Sequence, residues 1–365
     1  MTTSVDHYYM TRALRLARRG LTTADPNPRV GCVLVKNDEI VGEGWHERAG
    51  EAHAEINALA QAGDDASGAT AYISLEPCCH HGRTPPCSQA LIDAGVARVV
   101  AAMQDPNPLV AGKGLLQCRD AGIETDSGVL EQQANELNCG FIMRMANGRP
   151  YIRIKMAMSL DGRTAMASGE SQWITSEAAR RDVHHLRARS SAILTGIGTV
   201  KADDPSLTVR LKDETNIEFQ VPLRVVLDPD LKIDASARLL QDPGSVLIIT
   251  AKGNKAARSE LKPVEIIEVE RNHRGLDLQQ VMQLLAQREI NELMVETGAT
   301  LAGALLEAGL ADEMVIYMAP HLMGDQARGL FNMPGLTMMK DRVQLEITDI
   351  RAVGNDWRIT AKVTD

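Results

Sequence analysis

The chain has 365 residues and a formal net charge of −9 at neutral pH. Its length exceeds what one hydrophobic core usually serves, so two domains are the first expectation. The acidic balance argues against a sequence-independent nucleic-acid binder, which normally carries a basic face. No apolar run approaches the roughly 20 residues that span a bilayer, and the first residues do not resemble a signal peptide. We therefore expect a cytoplasmic protein with neither a membrane nor a nucleic-acid partner.

The N-terminal part of the chain alternates predicted helices and strands, which is typical of an α/β sandwich with one mixed sheet. Apolar spacing predicts helices over 7–19, from 53 onward, and over 88–94, 114–121 and 130–145. Predicted strands cover 30–36, 39–45, 71–75 and 96–103. The last helix ends in a polar stretch with Gly and Pro, residues 147–150, which is the best candidate for a domain boundary. We predict domains over 1–147 and 148–365.

A second alternation follows this boundary. Predicted strands cover 151–157, 192–195, 223–228, 246–250, 291–296 and 313–319, and two β-like runs lie within 344–364. Predicted helices cover 176–189, 276–287 and 300–308. No GxGxxG motif follows any of these strands, so the standard dinucleotide-binding fingerprint is absent from the sequence.

The strongest chemical signal is His53-Ala54-Glu55 followed by Pro77-Cys78 and then Cys87. Taken singly, each residue is more often an ordinary helix start or a small buried side chain. Together, one imidazole and two thiolates suit tetrahedral zinc with an open fourth position, the catalytic arrangement. Glu55 is then placed to move protons for a zinc-activated water, as in the known signature of zinc deaminases. We predict ligands His53, Cys78 and Cys87, catalysis by Glu55, and Cys79 outside the metal shell.

A longer pattern surrounds this signature. Residues 26–31, 53–55, 76–87 and 105–108 resemble the deaminase half of the bacterial bifunctional riboflavin-biosynthesis deaminase–reductases. Eight residues separate Cys78 from Cys87, and this spacing is characteristic of that branch rather than of generic cytidine-type deaminases. The resemblance implies a cytidine-deaminase-like three-layer α/β fold with a mixed sheet. It also implies substrate contacts at Asn27, His46, His80, Arg83, Asp105 and Asn107.

The C-terminal half carries a weaker signal of its own at residues 295–304, where a strand end runs into a helix. Small residues there let backbone amides approach a phosphate at the positive helix N-terminus, although such glycines more often serve only the turn. Three further stretches, 155–163, 168–174 and 195–210, are similar in order and spacing to the reductase half of the same family. That similarity implies a dihydrofolate-reductase-like fold and NADPH as cofactor.

The resemblance also assigns residues to the two ligands of the reductase half. NADPH contacts are implied at Ala157, Trp173, Thr199, Asp203, Pro229, Gly298, Ala299, Thr300, Leu301, Ala302, Gly303 and Ala304. Substrate contacts are implied at Ser171, Arg187, Leu207, Arg210 and Glu296. The guanidinium groups of Arg187 and Arg210 suit a substrate phosphate, whereas Arg180 and Arg181 are expected on a solvated helix face. For Asp203, an acid role and a structural hydrogen-bonding role both stay open.

The resulting prediction is successive chemistry on one pyrimidine by a homo-oligomeric enzyme. The first half would deaminate 2,5-diamino-6-(5-phosphoribosylamino)pyrimidin-4(3H)-one, and the second would reduce the ribosyl group to ribityl with NADPH. The sequence leaves two alternative functions. A deaminase of a nucleoside or tRNA base would need a basic patch with aromatics, but the acidic chain has three Phe and three Trp. A zinc-stabilised binding module would leave Glu55 idle.

Overall fold

The computed structural model describes residues 3–79, 86–211, 218–254, 261, 264–273 and 275–364. The chain divides into two compact units, Met1–Gly148 and Arg149–Asp365, each with its own sheet and core. In the described part of the chain, no helix combines the length and the apolar character that crossing a membrane requires.

The first unit is an α/β sandwich. Its helices are α1 (Ser4–Ala17), α2 (Ala54–Ala62), α3 (Cys87–Asp93), α4 (Lys113–Asp120), α5 (Glu131–Leu137) and α6 (Cys139–Asn147). Its strands are β1 (Gly31–Lys36), β2 (Glu39–Trp45), β3 (Thr70–Ile73), β4 (Arg98–Ala101) and β5 (Glu124–Ser127). The sheet has the order β2-β1-β3-β4-β5, antiparallel around β1 and parallel from β3 to β5. This is the mixed sheet that the sequence predicted.

Helices cover both faces of this sheet, which explains the continuous apolar run of β1. Val33 packs on one face with α1 residues such as Met10, whereas Leu34 packs on the other face with Ala58 of α2. Successive residues of a strand point to opposite faces, so a strand buried on both sides must be apolar throughout. The three layers place the first turns of α2 and α3 on the same side of the sheet.

The helix predicted over 130–145 was wrong in one respect, because the structure divides it into α5 and α6 at Asn138. The Asn138 side chain accepts a hydrogen bond from the Arg29 backbone N–H at 2.8 Å and donates one to the Arg29 carbonyl at 3.0 Å. Asn138 is buried, and its own backbone leaves the helical region to make this pairing. A tertiary contact more than a hundred residues away therefore breaks the helical pattern.

The second unit is built on a larger sheet. Its strands are β6 (Tyr151–Ser159), β7 (Arg163–Ala165), β8 (Ala192–Gly196), β9 (Leu223–Leu227), β10 (Val246–Ala251), β11 (Glu265–Val269), β12 (Arg271–Asn272), β13 (Gly275–Leu276), β14 (Glu292–Glu296), β15 (Glu313–Ala319), β16 (Arg328–Gly329), β17 (Gln344–Val353) and β18 (Asp356–Thr364). Its helices are α7 (Glu177–Ala188), α8 (Ile197–Asp203), α9 (Arg238–Gln241), α10 (Leu278–Gln287) and α11 (Ala299–Glu307).

Nine of these strands form one sheet of order β11-β10-β9-β8-β14-β6-β15-β18-β17. The strands from β11 to β15 are parallel, and β18 and β17 complete the sheet as an antiparallel pair. The chain leaves β8 toward β9 and returns to pair β14 on the other side of β8. Ligands of open α/β sheets bind outside the carboxyl ends of strands at such a reversal of strand order. The fold thus directs attention to the ends of β6, β8 and β14.

Candidate active sites

One nitrogen and two sulfur atoms meet in the first unit. The candidate ligand atoms of His53, Cys78 and Cys87 all lie within 4.8 Å of one another. His53 Nδ1 lies 3.3 Å from Cys87 Sγ and 3.7 Å from Cys78 Sγ. Tetrahedral zinc, with bonds of about 2.0 Å to nitrogen and about 2.3 Å to sulfur, would place nitrogen and sulfur ligands about 3.5 Å apart. The spacing therefore suits a zinc ion held by three protein ligands.

Two helices begin at this cluster. His53 is the N-cap residue of α2, and Cys87 is the first residue of α3. The backbone N–H of Cys87 donates to Cys78 Sγ at 3.3 Å. Hydrogen bonds from Cys87 and from the His53 ring lower the pKa of the Cys78 thiol well below its usual range. A thiolate is the form that binds zinc, so the surroundings prepare Cys78 for this role.

Glu55 lies in the first turn of α2, two residues after His53. Its side chain is 3% exposed. Burial raises the pKa of the Glu55 carboxyl to about 7, against an opposing effect of His53. A carboxyl group that titrates near neutral pH can both accept and return a proton. Gly44 on β2 allows the helix to approach, because a Cβ there would lie 2.3 Å from the Ala54 carbonyl oxygen.

Asn27 and His46, both predicted substrate contacts, lie beside this cluster. The His46 ring is edge-on to the His53 ring at 5.3 Å between centroids. His46 Nδ1 lies 3.1 Å from the Ala52 carbonyl oxygen, so it carries the proton and leaves Nε2 as an acceptor. Asn27 Nδ2 donates to that Nε2 at 3.0 Å. The buried His46 thus fixes the orientation of the Asn27 amide.

Asp105 and Asn107, two further predicted contacts of this half, lie in a loop between β4 and α4. The Asp105 side chain accepts a hydrogen bond from the Asn107 backbone N–H at 2.8 Å, and the Asp105 N–H donates to Glu76. His80 and Arg83 lie outside the described residues, so their assignments stay predictions. Cys79 Sγ donates to the Leu109 carbonyl at 3.7 Å and is not among the three grouped ligands.

The second unit contains a cleft of about 1250 Å³ at the carboxyl ends of β6, β8, β9 and β14. All five predicted substrate contacts line it: Ser171, Arg187, Leu207, Arg210 and Glu296. Most predicted NADPH contacts line it as well: Ala157, Trp173, Thr199, Asp203, Pro229, Gly298, Ala299, Thr300, Leu301 and Ala304. Ala302 and Gly303 do not. Ala302 is fully buried, and a Cβ at Gly303 would lie 2.2 Å from the Asn332 carbonyl oxygen, so both residues serve packing.

The start of α11 has the properties of a phosphate site. Gly298 is its N-cap residue and provides no side-chain hydrogen bond to the first turn. A Cβ at Gly298 would meet nothing within 4 Å, so the backbone there is open to a ligand. Free N–H groups and the positive end of a helix bind anionic oxygens. This part of the cleft fits the pyrophosphate of a dinucleotide.

Arg187 and Glu296 form a bidentate ion pair in the cleft, with Arg187 Nε and Nη2 donating to the carboxylate at 2.6 and 2.9 Å. Arg187 Nη1 also donates to the Thr208 carbonyl at 2.8 Å. Burial alone would raise the pKa of Glu296, but Arg187 and Lys155 lower it to about 2. Burial in turn lowers the pKa of Lys155, whose side chain lines the same cleft. Two of the donor nitrogens of Arg187, Nε and Nη2, are therefore already bound to a protein carboxylate.

The guanidinium of Arg210 has fewer polar partners among the described residues than that of Arg187. Its backbone N–H donates to His184 Nδ1 at 3.2 Å, and its guanidinium donates to Thr208 Oγ1 at 3.2 Å. Within the described residues it forms no ion pair. Burial, together with the charges of Arg187 and Arg210, lowers the pKa of His184 to about 4. The site thus offers an exposed cation beside a neutral histidine, which suits an anionic ligand.

Arg180 and Arg181 both line the cleft. Arg181 is exposed, as expected for a solvated face, whereas that expectation was wrong for Arg180, which is partly buried. The Arg180 guanidinium lies 4.6 Å from the ring centroid of Trp173 and donates to the Thr175 carbonyl at 2.7 Å. Cation–π stacking of this kind orders an exposed aromatic side chain. The start of α7 therefore approaches the ligand site, which helical periodicity alone could not show.

Asp203 accepts a hydrogen bond from Ser171 Oγ at 3.0 Å, so the residue predicted for the cofactor contacts one predicted for the substrate. Three further residues were not assigned a role from the sequence: Glu76, Lys155 and His184. Lys155 and Glu76 lie within the stretches that resemble the family, 155–163 and 76–87. For Lys155, a charged residue within a predicted apolar strand could have indicated a functional role. His184 gave none, because a histidine pair in a polar helix is unremarkable.

Comparison with known proteins agrees with both halves. Residues 150–359 match the family described as the RibD C-terminal domain. Residues 3–103 match the family described as the cytidine and deoxycytidylate deaminase zinc-binding region. The predicted fold class, a cytidine-deaminase-like unit followed by a dihydrofolate-reductase-like unit, is confirmed.

Relatives match almost the whole chain. The riboflavin biosynthesis protein RibD of Escherichia coli strain K12 is 53% identical over 359 residues, covering 96% of this chain and 97% of that protein. RibD of Haemophilus influenzae is 50% identical over 365 residues, covering 98% and 97%.

Solved structures agree with these relatives. A structure of RibD from Acinetobacter baumannii superposes with a TM-score of 0.92 at 46% identity over 99% of both chains. A diaminohydroxyphosphoribosylaminopyrimidine deaminase/5-amino-6-(5-phosphoribosylamino)uracil reductase from Thermotoga maritima gives 0.85 at 31% identity, again over 99% of both. The predicted cofactors, zinc and NADPH, are confirmed with the family. The chain belongs to the RibD family of riboflavin biosynthesis, in which a zinc deaminase is fused to a reductase.

Proposed function

We propose that this chain carries out two successive reactions on one pyrimidine. The first removes the 2-amino group of 2,5-diamino-6-(5-phosphoribosylamino)pyrimidin-4(3H)-one as ammonia. The second reduces the ribosyl group of the resulting 5-amino-6-(5-phosphoribosylamino)uracil to ribityl with NADPH. The observation that carries the proposal is the presence, in one chain, of a His–Cys–Cys cluster beside a buried carboxyl and of a large cleft lined by Arg210, which forms no ion pair among the described residues.

In the deaminase unit, we assign the metal to His53, Cys78 and Cys87. Zinc held there would supply a water molecule whose pKa is lowered toward neutrality. Glu55 would carry one proton from that water to the ring nitrogen. It would carry a second proton, from the hydroxyl added to the ring carbon, to the departing amine, so that ammonia leaves and a carbonyl remains. Burial raises the pKa of the Glu55 carboxyl, which favours its uptake of a proton. Three residues would orient the pyrimidine: Asn27, whose amide is held by His46, together with Asp105 and Asn107.

In the reductase unit, the cofactor supplies hydride, and the protein holds both ligands and manages one proton. The first turn of α11 would hold the pyrophosphate, and Thr199 and Trp173 would border the nicotinamide end. Arg210 would bind the substrate phosphate. Lys155 is the best donor for the proton that the opened ribosyl group requires, since its pKa is lowered by burial and it lies in the cleft near Glu296. Arg187 would then act by fixing Glu296.

The proposal is tested by following both products in one preparation. Purified protein given the diamino substrate without nicotinamide should release ammonia and accumulate the uracil intermediate. Later addition of NADPH should convert that intermediate to the ribityl product. Failure to release ammonia from a zinc-loaded preparation would contradict the first half of the proposal. A consumption of NADPH before any ammonia appears would contradict the order of the two steps.

We also propose that the chain assembles with copies of itself in the cytoplasm. Strand β17 is at the edge of the large sheet, and Leu345, Ile347 and Ile350 on it are each more than 40% exposed. Exposed apolar residues on an edge strand favour pairing with another chain. None of the six cysteines forms a disulfide bond, which suits a reducing compartment. Light scattering should give a multiple of the chain mass, and Ile347→Glu should shift it toward the monomer.

A further inference from the structure

Glu76 is a buried carboxylate in the loop after β3, and deamination as proposed above does not use it. Its side chain is 3% exposed. One oxygen accepts hydrogen bonds from the backbone N–H groups of Gly114 and Leu115 at 2.9 and 3.1 Å. The other accepts from Gly112 and Asp105 at 2.8 and 3.1 Å. Four main-chain donors therefore occupy the lone pairs of one carboxylate.

Three of these donors belong to the start of α4. Gly112 is its N-cap residue and has no side chain to satisfy the first N–H groups of the helix. Glu76 supplies this cap from more than thirty residues away in the sequence. The positive end of the helix balances the carboxylate charge, and in the part of the chain that the structure describes no side chain is hydrogen-bonded to it.

The fourth donor, Asp105, begins a second loop. We call residues 76–79 the metal loop, because they include Cys78, and residues 105–112 the substrate loop, because they include Asp105 and Asn107. The Asp105 side chain accepts from the Asn107 N–H at 2.8 Å, so both predicted substrate contacts depend on where Glu76 holds the loop.

A contact independent of the carboxylate presses the same elements together. A Cβ at Gly114 would lie 1.9 Å from the Pro77 carbonyl oxygen. A side chain therefore cannot be placed at Gly114 without moving the metal loop away from α4. Gly114 and the Glu76 carboxylate therefore both determine how closely the metal loop packs against the start of α4.

We propose that Glu76 is a positioning residue for deamination, which joins the metal loop and the substrate loop into one rigid element. In this way the groups that hold the pyrimidine stay at a fixed distance from the groups that hold the metal. The inference rests on the proposed deaminase function, and it gives Glu76 no part in proton transfer. Its loss should weaken substrate binding while the metal stays bound.

The direct test is Glu76→Gln, which keeps the size of the side chain but turns one oxygen into an NH₂ group that faces N–H donors. We expect KM for the diamino substrate to rise about tenfold or more, the usual effect of losing a charge-assisted hydrogen bond. Zinc content should stay near that of the wild type. In Co²⁺-substituted protein, the change that substrate causes in the visible spectrum should require correspondingly more substrate. Reductase activity on the uracil intermediate should be unchanged.

Asp6→Asn is the matched control in the same unit. Asp6 is 1% exposed and, like Glu76, accepts several hydrogen bonds, from Thr3, Tyr72 and Arg98. It lies in α1, among the residues that pack on the other face of the sheet. The control should lose thermal stability without a change in KM or in the cobalt titration. If Glu76→Gln behaves like Asp6→Asn, Glu76 is only structural and the inference is wrong.

Two further measurements keep the test decisive if Glu76→Gln does not fold. Gly114→Ala should reproduce the rise in KM through the other side of the junction. In the wild-type protein, removal of zinc by a chelator should accelerate amide hydrogen exchange over 105–115 more than over α1. Equal exchange in both segments would overturn the inference. A wild-type protein without deaminase activity would instead refute the proposed function.

Discussion

Arg210→Ala tests how the reductase cleft divides its two ligands. Among the described residues, the guanidinium of Arg210 has one weak hydrogen bond, to Thr208 Oγ1 at 3.2 Å, so its removal should hardly change stability. If it binds the substrate phosphate, its loss removes a charge-assisted contact of about 1.5–3 kcal/mol, or about 10- to 150-fold in kcat/KM. Nicotinamide absorbance, measured against the concentration of each ligand, should show a higher KM for the phosphorylated substrate and an unchanged KM for NADPH.

Arg187→Ala is the informative comparison, because the same residue type is engaged differently. Removing Arg187 leaves Glu296 buried without its bidentate partner, which typically costs about 3–5 kcal/mol. For a unit of this size that corresponds to a fall in Tm on the order of 10 °C.

Arg210→Ala should also discriminate less between the phosphorylated substrate and its dephosphorylated analogue. A raised KM for NADPH in Arg210→Ala would refute the reasoning and place Arg210 in the cofactor site.

Three further predictions concern the deaminase unit. Cys87→Ser should lose both zinc and ammonia release, whereas Cys79→Ser should keep the metal; full zinc occupancy in Cys87→Ser would contradict the ligand set. Glu55→Gln should keep zinc but lose deamination by roughly two to four orders of magnitude, with the reductase nearly unaffected, and a parallel fall of both activities would contradict separate sites. Although burial alone would raise the pKa of Asp6, hydrogen bonds from Arg98, Thr3 and Tyr72 lower it, so its stabilisation is present above about pH 4 and is lost on further acidification. The stability difference between wild type and Asp6→Asn should therefore shrink in urea titrations below about pH 4, and a constant difference would contradict this assignment.

The fold class could be predicted from the sequence because apolar periodicity and motif order are local signals. The buried run of β1 and the alternation after Arg149 needed no knowledge of distant contacts. Asn138 shows the limit, since only its pairing with Arg29 explains why a continuous helical pattern is interrupted. Strand β11 was missed for a similar reason, because its five residues, Glu-Ile-Ile-Glu-Val, do not alternate strictly and its pairing with β10 is what makes it a strand.

The candidate metal site could be predicted from residue types, because one histidine and two cysteines beside a glutamate suit a catalytic zinc ion better than other roles. The residues missed are those whose meaning depends on a partner far along the chain. Lys155 matters because β14 brings Glu296 near it, and Glu76 because α4 begins against it. Arg180 was misjudged because a helical wheel gives the face of a residue and not what lies opposite that face.

The two proposed reactions are linked, because the second unit would reduce what the first unit produces, with NADPH as the reductant. The most direct measurement is the decrease of nicotinamide absorbance when the protein receives the isolated uracil intermediate, with NADPH or NADH in turn. We expect a prompt decrease with NADPH, equal in amount to the ribityl product formed, and the same result in the Glu55→Gln variant. A protein that oxidises no NADPH with the deaminated intermediate, but does so with the diamino compound, would contradict this expectation.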